Sequence, residues 1–228
     1  MLDMKPDISH EPHLPRIIET SADIAEGAKT LAGACKHMGH VYAVTGAPPL
    51  RRRPGGFAGL ARIITGQQLS VASAAAIWGR VEKTVRPMDP ENLLRKRPAT
   101  LRKCGLSAGK IATLAGIARA IAGGGLDLAA LAQAQDDEIK QQLTALKGVG
   151  PWSADIYIMF CIGRADAWAP GDLALKHAVR DACALNELPD EAVMDARAEA
   201  WRPWRGVAAR MLWAYYGIRR ARKSAAPG

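Results

Sequence analysis

The sequence predicts an all-α fold, and three observations carry that expectation. Apolar residues recur at helical spacing along most of the 228 residues. Alternating runs of β-branched residues are scarce, while alanine is abundant. Proline, glycine, serine and aspartate punctuate the apolar stretches where helices start and stop. The length suits one large domain or two small lobes with a real core. With 49% apolar and 23% charged residues, the composition is globular and excludes a disordered, collagenous or fibrous chain.

Taken in order, residues 1–15 hold three prolines and little apolar content, which predicts a loose segment. A helix is expected over about residues 17–36. Ala47-Pro48-Pro49 and Arg51-Arg52-Arg53-Pro54-Gly55-Gly56 read as a loop or linker. Two helices follow, over 57–66 and 70–85. Asp89-Pro90 and Arg97-Pro98 each open a short helix with proline in its first turn. Over 107–122, Ile111, Leu114, Ala115, Ala118 and Ile121 fall on one face, and Gly123-Gly124-Gly125 ends the helix. Over 136–147, Ile139, Leu143 and Leu146 recur at i, i+4, i+7. Pro151 opens a helix reaching about residue 162, and Asp172 begins another after the Pro170-Gly171 turn. Helices over about 190–201 and 204–218 complete the chain, before a basic tail, Arg219 to Lys223, that is expected to fray.

Several function classes are excluded. The longest charge-free stretch near the start of the core, residues 63–79, contains Thr65, Gln67, Gln68, Ser70 and Ser73 and cannot sit in lipid. The charged N-terminus predicts no secretory leader, which makes the cytoplasm the expected compartment. Cys35, Cys104, Cys161 and Cys183 are separated by 69, 57 and 22 residues. That spacing offers no close ligand pair for zinc or an iron–sulfur cluster and suits buried thiols. His10, His13, His37, His40 and His177 form no HExxH or triad-like set. Basic residues outnumber acidic ones, 31 against 22, for a net charge of +9. Such an excess fits a polyanionic partner, most often nucleic acid, or a merely soluble basic protein.

The most informative stretch is Leu146-Lys147-Gly148-Val149-Gly150-Pro151-Trp152-Ser153-Ala154. One helix is expected to end at Leu146 and Lys147, and Pro151 to open the next. Glycines between them let the backbone approach another surface, and their amides with the next helix N-terminus can face a phosphate. Gly-Val-Gly alone reads as an ordinary helix connection; the flanking Leu, Pro and Trp-Ser-Ala favour the phosphate site.

Four further blocks accompany this stretch. Before the hairpin stand Ile64-Thr65-Gly66-Gln67-Gln68-Leu69-Ser70, then Cys104-Gly105-Leu106-Ser107 with Lys110. After it come Pro170-Gly171-Asp172-Leu173-Ala174-Leu175 and Trp201-Arg202-Pro203-Trp204-Arg205 with residues 209–213. Together the five resemble the helix-hairpin-helix DNA glycosylase superfamily, and most closely its DNA-3-methyladenine glycosylase II family. Each is weak alone; the ordered set, over about residues 57–218, is specific. With 56 residues before Phe57, the resemblance implies the short form, expected to lack the β-rich domain of larger members.

The resemblance implies a two-lobe all-α fold. Residues 57–161 would form a middle lobe with the hairpin, and residues 1–56 and 162–228 a second lobe. The cleft between them would hold Asp172, 20 residues after Trp152, at the position of the family's catalytic aspartate. Asp172 also suits a helix N-cap, and the two roles are compatible, because the positive end of a helix favours a negative charge. Bond cleavage makes the sugar oxocarbenium-like; a nearby anion stabilises it and can orient the attacking water. A base alkylated on a ring nitrogen departs neutral, so no second carboxylate is needed.

Trp152 stands where bifunctional relatives place a lysine nucleophile, which implies cleavage of the base–sugar bond alone. Trp152 and Trp213 match positions lining the family's base pocket, where an aromatic ring suits a cationic base. Tyr157 is a further candidate wall. Ile156 and Leu173 stand where some larger members have tyrosines. Trp78, Trp168, Trp201 and Trp204 are expected in the core. Gln68 aligns with the wedge that fills the gap left by a flipped base, or else simply starts the next helix. Gly148, Val149 and Gly150 would contact the DNA backbone. Thr144, Leu146 and Val149 occupy positions whose main-chain carbonyls bind a structural Na+ or K+ in the family; no other cofactor is implied. Arg51-Arg52-Arg53, Arg95-Lys96-Arg97, Arg102-Lys103 and the tail could meet phosphates, or be solvated surface.

The implied activity is removal of alkylated purines from double-stranded DNA by a monomer: 3-methyladenine, 7-methylguanine, and in wider range ethenoadenine or hypoxanthine. Two alternatives stay open: a non-catalytic DNA-binding module, and a mismatch or deaminated-base glycosylase on the same fold.

Overall fold

The computed structural model describes residues 15–225, and among these the only β pairing is an isolated bridge between Ile17 and Arg164. The loose segment expected over 1–15 lies outside the described residues except for Pro15. The first helix is where expectation and structure differ most. It begins at Ser21, behind a reciprocal cap in which Thr20 and Asp23 satisfy each other's backbone. It then breaks at Cys35 into α1 (Ser21–Ala34) and α2 (Lys36–Thr45). No proline marks that break. It lets Leu31 of α1 and Met38 and Val41 of α2 all be buried, with both helices packed on the C-terminal helix.

The middle of the chain follows its punctuation. α3 (Gly56–Gly66) and α4 (Val71–Thr84) flank a turn, and Ser70 caps α4 by accepting from the Ser73 amide. α5 (Pro90–Leu94) and α6 (Pro98–Lys103) each start on proline. α7 (Ala108–Ala122) is capped by Ser107 and stops at Gly123. A short α8 (Leu128–Leu131), capped by Asp127, was not expected, since one turn is too short to show a period. α9 (Asp136–Thr144) ends before the expected residue 147, because the Leu146 amide turns to the Leu143 carbonyl. α10 (Pro151–Tyr157) runs on as a π-helical turn, Ile158–Ile162, and stops at Gly163 with φ +94°.

The C-terminal part contains α11 (Leu173–Ala182) and α12 (Glu191–Ala198), a 3-10 turn Glu199–Trp201, and α13 (Arg205–Ala225). α13 continues through the basic tail expected to fray. Its residues past Ile218 are mostly arginine, lysine and alanine, strong helix formers, and Arg219 approaches Asp181 of α11.

Packing divides the helices into two groups. α3 contacts α4, α7, α8 and α10; α7 also meets α5 and α6; and α9 lies on α10. α1, α2, α11 and α13 pack on one another, and the 3-10 turn joins α12 to α13. The segment after the π turn threads between the groups. Ile18 donates to the Gly163 carbonyl, Ala165 to Arg16 and Gly206 to Ala165, each at 2.8 Å. A Cβ on Gly206 would come within 2.8 Å of the Ala165 carbonyl oxygen, so glycine is what lets α13 start against this segment. Trp78, Trp168, Trp201 and Trp204 are buried, as expected. So are Cys104 and Cys161, whereas Cys35 and Cys183 are only half-buried.

Candidate active site

The hairpin between α9 and α10 separates the roles of its three residues. Gly148 takes φ +87°, and a Cβ there would fall 2.0 Å from Thr113 Oγ1 on α7. This glycine is therefore required by internal packing. Val149 points inward, 4% exposed, with its amide on the Leu146 carbonyl at 3.0 Å. Gly150, the N-cap of α10, has open space where a side chain would stand. The hairpin is thus anchored through Gly148 and Val149 and open to another surface at Gly150.

Asp172 is the N-cap of α11, as its sequence position implied. Its Oδ1 accepts from the Leu175 amide at 2.9 Å and from Trp213 Nε1 at 3.0 Å. Its Oδ2 accepts from Trp152 Nε1 at 2.8 Å. The donors come from α11, α13 and α10, so both helix groups converge on one half-buried carboxylate. Two indoles and a helix N-terminus fix its orientation with N–H dipoles. Trp152 follows the proline that opens α10, which sets the start of the helix and hence the direction of the indole. Trp213 leans on Phe160 of the π turn, with centroids 5.7 Å apart and planes tilted 30°. Phe160 in turn lies under the Arg210 and Arg53 guanidiniums, at 4.7 and 5.3 Å. Arg210 is buried, and desolvation pushes its pKa down to about 10; it donates to the Gly206 and Met159 carbonyls. Leu173, beside Asp172, is 60% exposed.

The family model described as HhH-GPD superfamily base excision DNA repair protein matches residues 61–204. The chain belongs to the HhH-GPD superfamily of base excision DNA repair proteins. Within it, the chain is 29% identical over 158 residues to DNA-3-methyladenine glycosylase 1 of Schizosaccharomyces pombe, 68% of this chain and 69% of that protein. A Bacillus subtilis DNA-3-methyladenine glycosylase is 25% identical, and the chain spans about half of it, 54% of its length and 66% of its own. Among solved structures, a 3-methyladenine DNA glycosylase of Schizosaccharomyces pombe in complex with abasic DNA is similar with TM-score 0.77 at 25% identity. That match covers 82% of this chain and 95% of the other. A DNA-3-methyladenine glycosidase from Bacillus halodurans is similar with TM-score 0.74 at 30% identity, over 86% and 91%. The all-α fold anticipated from the sequence is the HhH-GPD fold.

In this HhH-GPD chain, the structure brings Asp172, Trp152 and Trp213 together and leaves Tyr157 out. Tyr157 is 1% exposed and its hydroxyl accepts from the Gly56 amide at 3.0 Å. Burial pushes its pKa up to about 12. It lines a separate cavity of about 550 Å³ with Arg52, Leu128, Cys161 and Arg164, none of which is in the Asp172 cluster. Five residues separate it from Trp152, which on a helix turns it to another face. Ile156 is buried as well. Gln68 is exposed, with φ +56°. Residues not anticipated include Phe160 behind Trp213, and Gln67, whose Nε2 donates to Ser153 Oγ at 2.8 Å and to the Gly148 carbonyl at 3.2 Å. Gln67 and Ser153 lie in the two blocks that carried the resemblance, yet their meeting spans 86 residues and has no local signal. Among the described residues no cluster of three or more His, Cys, Asp or Glu could hold a metal ion, and no helix is long and apolar enough to cross a membrane.

Proposed function

We propose that this chain is a monofunctional DNA glycosylase that removes alkylated purines, 3-methyladenine and 7-methylguanine first among them, from double-stranded DNA. The observation that carries the reading is the Asp172 carboxylate held by Trp152, Trp213 and the Leu175 amide. A pure DNA-binding module has no use for a carboxylate pinned by three donors from three helices. An anion so placed stabilises positive charge developing on the deoxyribose as the base leaves, and its free lone pairs can orient water for attack. The base leaves as a neutral purine when it was cationic in the substrate, so departure needs no general acid. Water then adds to the sugar and loses its proton, leaving an abasic site.

The two helix groups act as two lobes, residues 57–161 against 1–56 with 162–228, with Asp172 where they meet. Gly150 and the N-terminus of α10 face the DNA backbone, and Gln68 enters the gap left by the extruded base. A Na+ or K+ at the hairpin belongs to this reading, held by the carbonyls of Thr144, Leu146 and Val149. The donor set fits. Carbonyls at the end of α9 have no partner in a next turn of the helix, and the Leu146 oxygen, engaged once by Val149, keeps a lone pair. The ion would put positive charge between hairpin and phosphate. Action as a monomer belongs to this reading.

The test is release of free base from methylated duplex DNA. Asp172→Asn should lower the single-turnover rate at least about 100-fold while DNA binding persists. A variant that keeps the wild-type rate would refute the assignment.

A further inference from the structure

The turn between α3 and α4 holds a strained backbone. Gln68 carries a full side chain at φ +56°, a region that non-glycine residues rarely occupy. Its side chain is exposed, and so are those of Leu69, at 40%, and Val71, at 89%. Strain of this kind persists only where the surroundings over-determine it.

The surroundings here are polar and specific. Lys110 Nζ donates to the carbonyls of Thr65 and Gln67, each at 2.8 Å, which caps the end of α3 with a cation. Gln67 Nε2 crosses to the hairpin, where it meets Ser153 Oγ and the Gly148 carbonyl. Lys110 lies three residues before Thr113 on α7, so both project from one face. Thr113 is the residue pressed against Gly148. One face of α7 therefore braces the turn through Lys110 and the hairpin through Thr113, and Gln67 links turn and hairpin directly.

We propose that Gln67 and Lys110 are positioning residues that set the Gln68 turn at a fixed offset from the hairpin. Docking of the hairpin on a phosphate then delivers the Gln68 side chain to the base stack in the same movement. The inference rests on the glycosylase reading and on Gln68 as the side chain that fills the gap. The hydrogen bonds of Gln67 and Lys110 go to Ser153, Gly148, Thr65 and Gln67 and not to Asp172 or its donors, so the bond-breaking step itself should not depend on them.

The experiment compares single-turnover release of 7-methylguanine from one oligonucleotide, annealed and single-stranded. A single strand has no stack to leave a gap in, so it does not need the wedge. Lys110→Met should lower the duplex rate about tenfold, the scale of hydrogen bonds to a charged group, and Gln67→Met somewhat less. Both should leave the single-strand rate unchanged, and Gln68→Ala should lower the duplex rate more than the single-strand rate. Lys110→Arg should restore most of the duplex rate. If Lys110→Met does not fold, as judged by melting, Gln67→Met with only neutral bonds to lose carries the test. Equal losses on both substrates, with Gln68→Ala still selective, would mean that the two residues only support the fold and would overturn the proposal. A Gln68→Ala variant as fast as wild type on duplex would overturn the wedge assignment and the proposal with it. No base release by wild type from either substrate would instead refute the glycosylase reading.

Discussion

Replacing Trp213 by phenylalanine separates two jobs of one side chain. The substitution keeps an aromatic ring against Phe160 and removes the Nε1–H that donates to Asp172 Oδ1 at 3.0 Å. Oδ1 keeps the Leu175 amide and Oδ2 keeps Trp152, so the carboxylate stays at its helix end with one restraint fewer. A hydrogen bond to a charged group contributes about 1.5–3 kcal/mol. Since about 1.4 kcal/mol is tenfold in rate, the full range is about 10- to 150-fold. The site is half-buried and water can replace part of the lost donor, which puts the expected loss near the lower end, about tenfold. The assay is single-turnover excision of 7-methylguanine and of hypoxanthine, which removes product release from the rate. The lost bond acts on the carboxylate and not on the leaving base, so both substrates should slow by the same factor. Trp213→Ala removes the ring as well. It should add a further loss that is larger for the cationic base, by the cation–π contribution of about 0.5–2 kcal/mol. A Trp213→Phe variant with wild-type melting and wild-type rate would refute the orienting role, and equal added losses on both bases in Trp213→Ala would refute stacking.

Other consequences are equally open to measurement. Gly150→Asp places a negative charge in open space at the proposed phosphate contact, and should weaken binding to damaged and undamaged duplexes alike, by about tenfold; a loss confined to damaged DNA would contradict it. Gly148→Asp should instead lower the melting temperature, because its Cβ would overlap Thr113. Borohydride added during the reaction should trap no protein–DNA adduct, since Trp152 has no amine to form a Schiff base; a trapped adduct lost in Lys176→Ala would overturn the monofunctional reading. Asp155 on α10 is buried 2.7 Å from Lys140 on α9, and burial outweighs that partner and pushes its carboxyl up to about 6. The folded state thus holds this proton more tightly than the unfolded chain. The contribution to stability is present below about pH 4 and is lost as pH rises through about 6, a cost of about 3 kcal/mol at neutral pH. The melting temperature of wild type relative to Asp155→Asn should therefore fall between about pH 4 and about pH 6 and level off above that, and a difference independent of pH would refute the assignment.

Local chemistry was legible wherever one residue acts on its own neighbourhood. Ser70, Asp89, Ser107 and Asp172 cap helices, and Pro90, Pro98 and Pro151 open them, because capping and φ restriction operate within a single turn. The helical period of α7 and the hairpin between α9 and α10 follow from the same short-range rules. The Thr20 and Asp23 cap was equally local, but the apolar Ile17 and Ile18 before it drew the expected helix start too early. These two isoleucines are held by the segment after the π turn, through a bridge to Arg164 and a bond to Gly163.

What the sequence by itself determined is therefore the all-α class, most helix ends, the position of Asp172 at a helix start, and the family through its ordered blocks. Only the tertiary structure decided which side chains meet. Trp152 and Trp213 stand 61 residues apart in the chain, and nothing in either neighbourhood shows that both indole N–H groups end on one carboxylate. Tyr157 shares a short helix with Trp152 and yet faces Gly56, since a rotation of 100° per residue takes it to another side. The break at Cys35, the long α13 and the bond from Gln67 to Ser153 likewise come from where helices pack. The physical reason is range: caps and turns are settled within about four residues, whereas burial and hydrogen-bond satisfaction are settled by whatever the folded chain brings alongside.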